Sequence, residues 1–407
     1  MRYDLIVIGM GLSGLMAAKT AVDAGAKVLV VGKGTGGLCL FTSAIDVMGT
    51  LPEAAAMGEA LPRWIERHPH HPYARIGWEG IREALDAFAA LFPPPYDYAP
   101  VGSGNIFLPT GVGTKRSAYL VPATMRGACR LEKERTLLVG FQGFRDFYAG
   151  YAAAGLGCRG ENLAIPEIAG RNNSATSLAR LLEGLPFREQ VAAEIVRRLQ
   201  GETHVGFPAL LGFRDPMEIL KDLEGRTKTT IFEIPVLPPS IPGMRIFHRF
   251  RQHLIERGAT FLLGSPVGQV LRKGPSCAAI EVLHPPVTQI YEADRFILAT
   301  GRFMGGGLSA DEETIREPLL GLPLSASLPR AQWFERSFLG DREHAVHGVG
   351  VMTDGDLRPL DGRGNPASPN LWIAGTILAH QRWIDEKSRE GIEIATGYRA
   401  ARKALAS

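Results

Sequence analysis

Tyr3-Asp4-Leu5-Ile6-Val7-Ile8-Gly9-Met10-Gly11-Leu12-Ser13-Gly14, followed by a helical run and then by Lys27-Val28-Leu29-Val30-Val31, is the stretch that decides the fold. An apolar, β-branched strand runs straight into G-x-G-x-x-G, and a helix and a second strand follow, the order of a dinucleotide-binding βαβ unit. Gly9 allows the tight turn, Gly11 lets the backbone approach a pyrophosphate, and Gly14 lets the helix pack on the sheet. Leu12 and Ser13 open that helix, whose N-terminal N–H groups and positive dipole end suit an anion. The unit binds a dinucleotide or descends from one that did.

One piece of the pattern is missing. At the end of the second strand, where an acidic residue holds the adenosine ribose, stand Gly32, Lys33 and Gly34, and no Asp or Glu follows before Asp46. Two readings stay open: the ribose is held by other groups, or the ligand lacks an adenosine half and is FMN.

The 407 residues exceed one compact core and point to two interleaved domains. With 45% hydrophobic and 21% charged residues the chain is globular rather than disordered. A net charge of +3, with scattered Lys and Arg, gives no stripe for a nucleic-acid backbone. Cys39, Cys129, Cys158 and Cys277 lie far apart, so neither a zinc site nor an iron–sulfur cluster is expected from this chain. No run reaches the length of a membrane span, and Met1 leads directly into a strand with no room for a signal peptide. A cytoplasmic protein is expected, touching membrane only peripherally.

Residues 1–145 and 241–407 are expected to form a discontinuous, doubly wound α/β flavin-binding domain of Rossmann type. Residues 146–240 are expected to form an inserted α+β cap, or substrate-facing domain. Two later strands end in glycine, at Ala299-Thr300-Gly301 and at Ala374-Gly375, and a helix beginning near Gly391 closes the chain. With Gly9 these make three strand-to-glycine junctions. They point to a flavin fold rather than to a nicotinamide dehydrogenase, which has no use for the latter two.

Further blocks run in order along the chain: Gly113-Thr114-Lys115-Arg116-Ser117, Val139 to Phe147, Arg171-Asn172-Asn173-Ser174, Pro235 to Arg245, Gly305-Gly306-Gly307-Leu308, Ile315 to Leu322, and Val351 to Pro359. Together they resemble the B subunit of the anaerobic glycerol-3-phosphate dehydrogenases. The resemblance implies a flavin, FMN in that family, whereas the dinucleotide motif implies FAD. It also implies oxidation of sn-glycerol 3-phosphate to dihydroxyacetone phosphate, with electrons passing to quinone. The implied partners are an FAD-bearing catalytic subunit and an iron–sulfur subunit that docks at the inner face of the membrane. Asp385-Glu386-Lys387-Ser388-Arg389-Glu390-Gly391 departs from the family's glycine-rich run, leaving only Gly391.

Such a reaction needs a base for the hydroxyl proton and a cation for the phosphate ester. Arg245, Arg316 and Arg358, each in a family-like block beside Gly or Pro, are the phosphate candidates, with Arg116 behind them. His347 and His380, near the C-terminal strands, are candidates for the base, and Arg316 is also a catalytic candidate. Reduced flavin must pass its electrons on, so dependence on partner subunits is expected. One alternative is a stand-alone FAD oxidoreductase acting on another small hydroxy or unsaturated acid. The other is a non-catalytic, flavin-binding relay or assembly protein.

Overall fold

The computed structural model describes residues 2–53, 55–131, 134–284, 286–340 and 342–407. It divides into two units, one of Met1–Gly37, Gly58–Leu91 and Arg249–Ser407, the other of Leu38–Met57 and Phe92–His248.

In the first unit β1 (Arg2–Ile8) leads through Gly9 into α1 (Leu12–Asp23) and β2 (Val28–Gly32). Leu5, Ile6 and Val7 are fully buried, as a central strand covered on both faces requires. The strand Thr260–Leu263 extends the sheet beyond β2, parallel to it. On the other side β1 pairs in parallel with Val287–Leu298, from Arg2 opposite Glu292 to Ile8 opposite Leu298. The far edge of that long strand is shared: its first half pairs antiparallel with Ser276–His284, and its last residues pair in parallel with Leu371–Ile373.

This register sets three strand ends side by side. Ala299 N–H donates to Ile8 O (2.8 Å), Ala374 N–H to Leu298 O (3.0 Å) and Gly9 N–H to Val31 O (2.8 Å). The C-terminal helix Arg389–Leu405 packs on α1. A Cβ on its Gly397 would stand 2.3 Å from Ser13 O, so the close approach depends on glycine.

The second unit is built on four parallel strands in the order Thr230–Ile234, His204–Pro208, Thr136–Phe141, Arg159–Leu163. Helices Ala149–Leu156, Leu185–Arg198 and Pro216–Thr227 lie between them in sequence, and two antiparallel pairs complete it. Leu137, Leu138, Val205, Phe207 and Phe232 fill its core. Pro216–Thr227 starts where Asp215 accepts from Glu218 N–H (3.1 Å), with Pro at its first position.

The boundaries differ from those expected. Residues 92–145 leave the nucleotide-binding part because Thr136–Phe141 is an inner strand of the second sheet. Residues 38–57 and 241–248 leave it too, the former with Ile45 N–H bonded to Leu120 O at 2.9 Å. Each apolar run is visible in the sequence but its pairing partner is not, because partners are set by long-range burial. The apolar run from Val205 is strand only as far as Pro208.

Candidate active site

Gly9 has φ +120°, and a Cβ there would stand 2.2 Å from Ala299 O. A Cβ on Gly14 would stand 2.0 Å from Gly9 O. Both glycines are demanded by the packing of strand end against helix start. Gly11 differs, because a Cβ there would meet nothing within 4 Å. It is also the N-cap of α1, and no side chain caps that helix. No N-cap side chain satisfies its first N–H groups, an arrangement that fits a phosphate. Leu12 and Ser13 are buried at this helix start, and a Cβ on Gly375 would stand 2.3 Å from Ser13 Oγ.

The turn after the long strand adds a second observation. Thr300 Oγ1 is buried without a hydrogen-bond partner among the described residues. A buried hydroxyl left without a partner fits a ligand that supplies one. Gly301 adopts φ +70° and Gly375 φ +86°, so all three strand ends turn through glycine. Gly36 folds back on Gly11: its Cβ would stand 2.5 Å from Gly11 Cα. Gly32 is buried against Met10, where a Cβ would stand 2.9 Å from Met10 Cγ, so a larger residue is excluded there. Lys33 and Gly34 are exposed, and Gly391 is buried in the first turn of the C-terminal helix.

Of the basic candidates, Arg245 is corrected outright. Its Nη1 and Nη2 donate to the two carboxylate oxygens of Glu233, both at 2.8 Å, and its Nε donates to Gly212 O at 2.8 Å. The two side chains are 3% and 0% exposed. Burial opposes its charge, yet Glu233 holds the guanidinium above its ordinary range. Its charge is neutralised and its side chain enclosed inside the second unit's core, so it does not reach a substrate phosphate. Arg316 is 66% exposed, with Asp311 at 4.0 Å, and sits on a two-stranded ribbon. Arg358 Nε donates to Asp354 Oδ2 at 2.8 Å, closing a turn whose Leu357 has φ +68°. Arg116 pairs with Asp46 at 2.9 Å. Each of these has a carboxylate beside it.

His347 lies on the short 3-10 turn Ala345–Gly348, its side chain 16% exposed. Its Nδ1 is 3.0 Å from Asp385 Oδ2. A carboxylate only accepts, so Nδ1 donates to it; in the neutral ring Nε2 is then the accepting nitrogen, the arrangement of an oriented general base. His380 is exposed, with φ +63°, its ring 5.6 Å from that of His70, and no carboxylate pairs with it among the described residues.

Two residues escape the sequence reading. Asp385 stands out there only as part of a segment without the family's glycines. Arg302 directly follows Gly301, and its terminal nitrogens donate to the carbonyls of Val346 and His347. It thereby ties the His347 turn to the end of the long strand. Its place after Thr300-Gly301 is the available signal.

A family model described as FAD binding domain matches residues 4–390. A protein of Halobacterium salinarum, named as a probable B subunit of anaerobic glycerol-3-phosphate dehydrogenase, is 30% identical over 98% of this chain and 96% of its own. Its counterpart in Vibrio cholerae, named without the qualifier, is 28% identical over 100% of this chain and 97% of its own. Among solved structures, 3-ketosteroid Δ1-dehydrogenase of Sterolibacterium denitrificans matches with TM-score 0.46 at 14% identity, covering 100% of both chains. The open form of a flavocytochrome c3 fumarate reductase matches with TM-score 0.43 at 11% identity, covering 99% of this chain and 79% of that one.

Proposed function

Because the chain belongs to the FAD-binding-domain family and, within it, to the B-subunit family of the anaerobic glycerol-3-phosphate dehydrogenases, we propose that it oxidises sn-glycerol 3-phosphate to dihydroxyacetone phosphate as part of a multisubunit complex. Of the two flavins left open by the sequence, FAD is the one named by the matching family model. The flavin, when bound, supplies the hydride acceptor.

The chain's own residues would do the rest. Gly11 and the uncapped start of α1 hold phosphate. His347 Nε2 takes the proton of the substrate's C2 hydroxyl, while C2–H leaves as hydride. Asp385 orients the ring and stabilises the imidazolium that forms. The observation that carries this reading is that the C-terminal ends of adjacent parallel strands lead into Gly9–Gly11, the orphaned Thr300 hydroxyl and, through Arg302, the turn bearing His347.

The relatives are named as one lettered subunit among several, which supports an assembly with other chains. We assign the onward electron path to an FAD-bearing catalytic subunit and an iron–sulfur subunit, with quinone as final acceptor. The complex would lie on the cytoplasmic face of the membrane, held there through its partners. No helix among the described residues is long and apolar enough to cross a membrane.

The test is an anaerobic titration of the flavin-loaded chain with glycerol 3-phosphate, following the oxidised flavin band near ~450 nm. Bleaching places substrate oxidation in this chain. A band that dithionite bleaches and substrate does not would leave it the role of relay or assembly factor. Turnover with an artificial acceptor on a different hydroxy acid would make it a stand-alone oxidoreductase.

A further inference from the structure

Arg302 carries a charge that no acidic group among the described residues answers. Among the described residues no carboxylate pairs with it, and its two acceptors, Val346 O and His347 O, are neutral carbonyls. Carbonyls satisfy N–H groups without neutralising a guanidinium, and burial without a counter-ion is costly. Burial pushes this guanidinium down to about 10. Arg245, Arg316 and Arg358 differ in kind, since each has an acid beside it.

The surroundings continue the pattern. Gly306 N–H donates to Arg302 O at 2.9 Å, closing a glycine turn over Gly305–Gly307. Lys33 reaches the same turn: a Cβ on Gly306 would stand 2.5 Å from its Nζ. Lys33 too pairs with no carboxylate among the described residues. The orphaned Thr300 Oγ1 would stand 2.5 Å from a Cβ on Gly307. The turn that opens at Arg302 O thus carries the Lys33 ammonium and the Thr300 hydroxyl, and the Arg302 guanidinium leaves the same segment for the Val346 and His347 carbonyls; among the described residues neither cation has a carboxylate partner.

We propose that Arg302, with Lys33 and Thr300 Oγ1, forms a phosphate-binding site at the Gly305–Gly307 turn. A guanidinium that spends two of its five N–H groups on carbonyls keeps donors for a phosphate, whose charge supplies the missing counter-ion. The phosphate belongs either to the substrate ester or to the cofactor. The first of these sources rests on the dehydrogenase reading, the second only on the flavin.

The flavin-loaded chain and its Arg302→Gln and Arg302→Lys variants are titrated calorimetrically with inorganic phosphate and anaerobically with glycerol 3-phosphate. The flavin-to-protein ratio of each preparation is measured alongside. Arg302→Gln should weaken phosphate binding by about tenfold or more, the loss of one charge-assisted contact, and Arg302→Lys should restore most of it. A parallel loss of glycerol 3-phosphate affinity at constant flavin content makes the phosphate the substrate's. Loss of flavin in Arg302→Gln, with retention in Arg302→Lys, makes it the cofactor's. Unchanged phosphate binding and unchanged flavin content in Arg302→Gln overturn the site, whatever happens to turnover. If Arg302-dependent phosphate binding appears in a protein that glycerol 3-phosphate cannot bleach, the site stands and the dehydrogenase reading falls. Bleaching that survives while phosphate binding ignores Arg302 gives the reverse.

Discussion

His347 Nδ1 and Asp385 Oδ2 stand 3.0 Å apart although 38 positions separate them in the chain. Asp385 opens the segment 385–391, and the pairing fixes the orientation of the His347 ring. His347→Gln should lower the rate of flavin reduction by glycerol 3-phosphate by about 100-fold or more, the usual contribution of a positioned base. Asp385→Asn should lower it by a smaller factor, and Asp385→Glu should recover part of the loss. Stopped-flow reduction at constant flavin content checks this; equal rates for wild type and His347→Gln would remove His347 from the mechanism.

Gly9 and Gly11 should separate folding from binding. Gly9→Ala puts a Cβ 2.2 Å from Ala299 O at φ +120°, and should destabilise the chain by about 3 kcal/mol or more. Gly11→Ala meets nothing within 4 Å and should stay within about 1 kcal/mol of wild-type stability. Its flavin-to-protein ratio should nonetheless fall, because the added methyl occupies the space left for phosphate. Denaturant melts of flavin-free protein, paired with flavin content, read both effects.

Thr300→Val tests the orphaned hydroxyl. Its Oγ1 has no partner among the described residues, so the isosteric change should leave the flavin-free chain as stable or up to about 1 kcal/mol more stable. Flavin affinity should weaken if the hydroxyl serves the cofactor. A Thr300→Val protein that is destabilised when flavin-free would show that the hydroxyl has a partner within the fold.

The Arg245–Glu233 pair is a stability element. Removing one partner leaves a charge buried in the core, and either Arg245→Ala or Glu233→Ala should cost about 3–5 kcal/mol. The pair replaced together, as Arg245→Met with Glu233→Leu, should cost less than either single change. KM for glycerol 3-phosphate should not move in variants that fold, and a selective rise in KM would return Arg245 to the substrate.

Acid sensitivity should be traceable to Glu202. Burial opposes its ionisation, but Arg159 Nε at 2.7 Å and the Gln200 N–H at 2.5 Å hold its carboxyl at about 2, below an ordinary 4.5. A depressed folded-state value means stability that is complete above about 4.5 and is lost as pH falls towards 2. Glu202→Gln should therefore destabilise the chain at pH 7 by on the order of 1–3 kcal/mol and much less near pH 2–3. Urea melts at the two pH values check the crossover.

Gly9, Gly11 and Gly14 are legible because a strand, a tight turn and a helix N-terminus impose their needs over a dozen consecutive residues. Gly301 and Gly375 are legible for the same local reason, and the parallel pairing of Val287–Leu298 with β1 and with Leu371–Ile373 brings all three ends to one edge. Arg245 misleads because its sequence neighbours, Pro242 and Gly243, look like a loop, whereas its partner Glu233 lies on a strand of the same core.

The sequence by itself determined the βαβ opening, the glycine-ended strands and the helices, all of which arise from periodicity and backbone geometry among near neighbours. Only the tertiary structure decided where the two units divide. It also decided that Arg245 is neutralised in a core, that Asp385 reaches His347, and that Arg302 has no acid beside it among the described residues. Charge pairing and strand pairing depend on which distant residues burial brings together, and no local pattern carries that information.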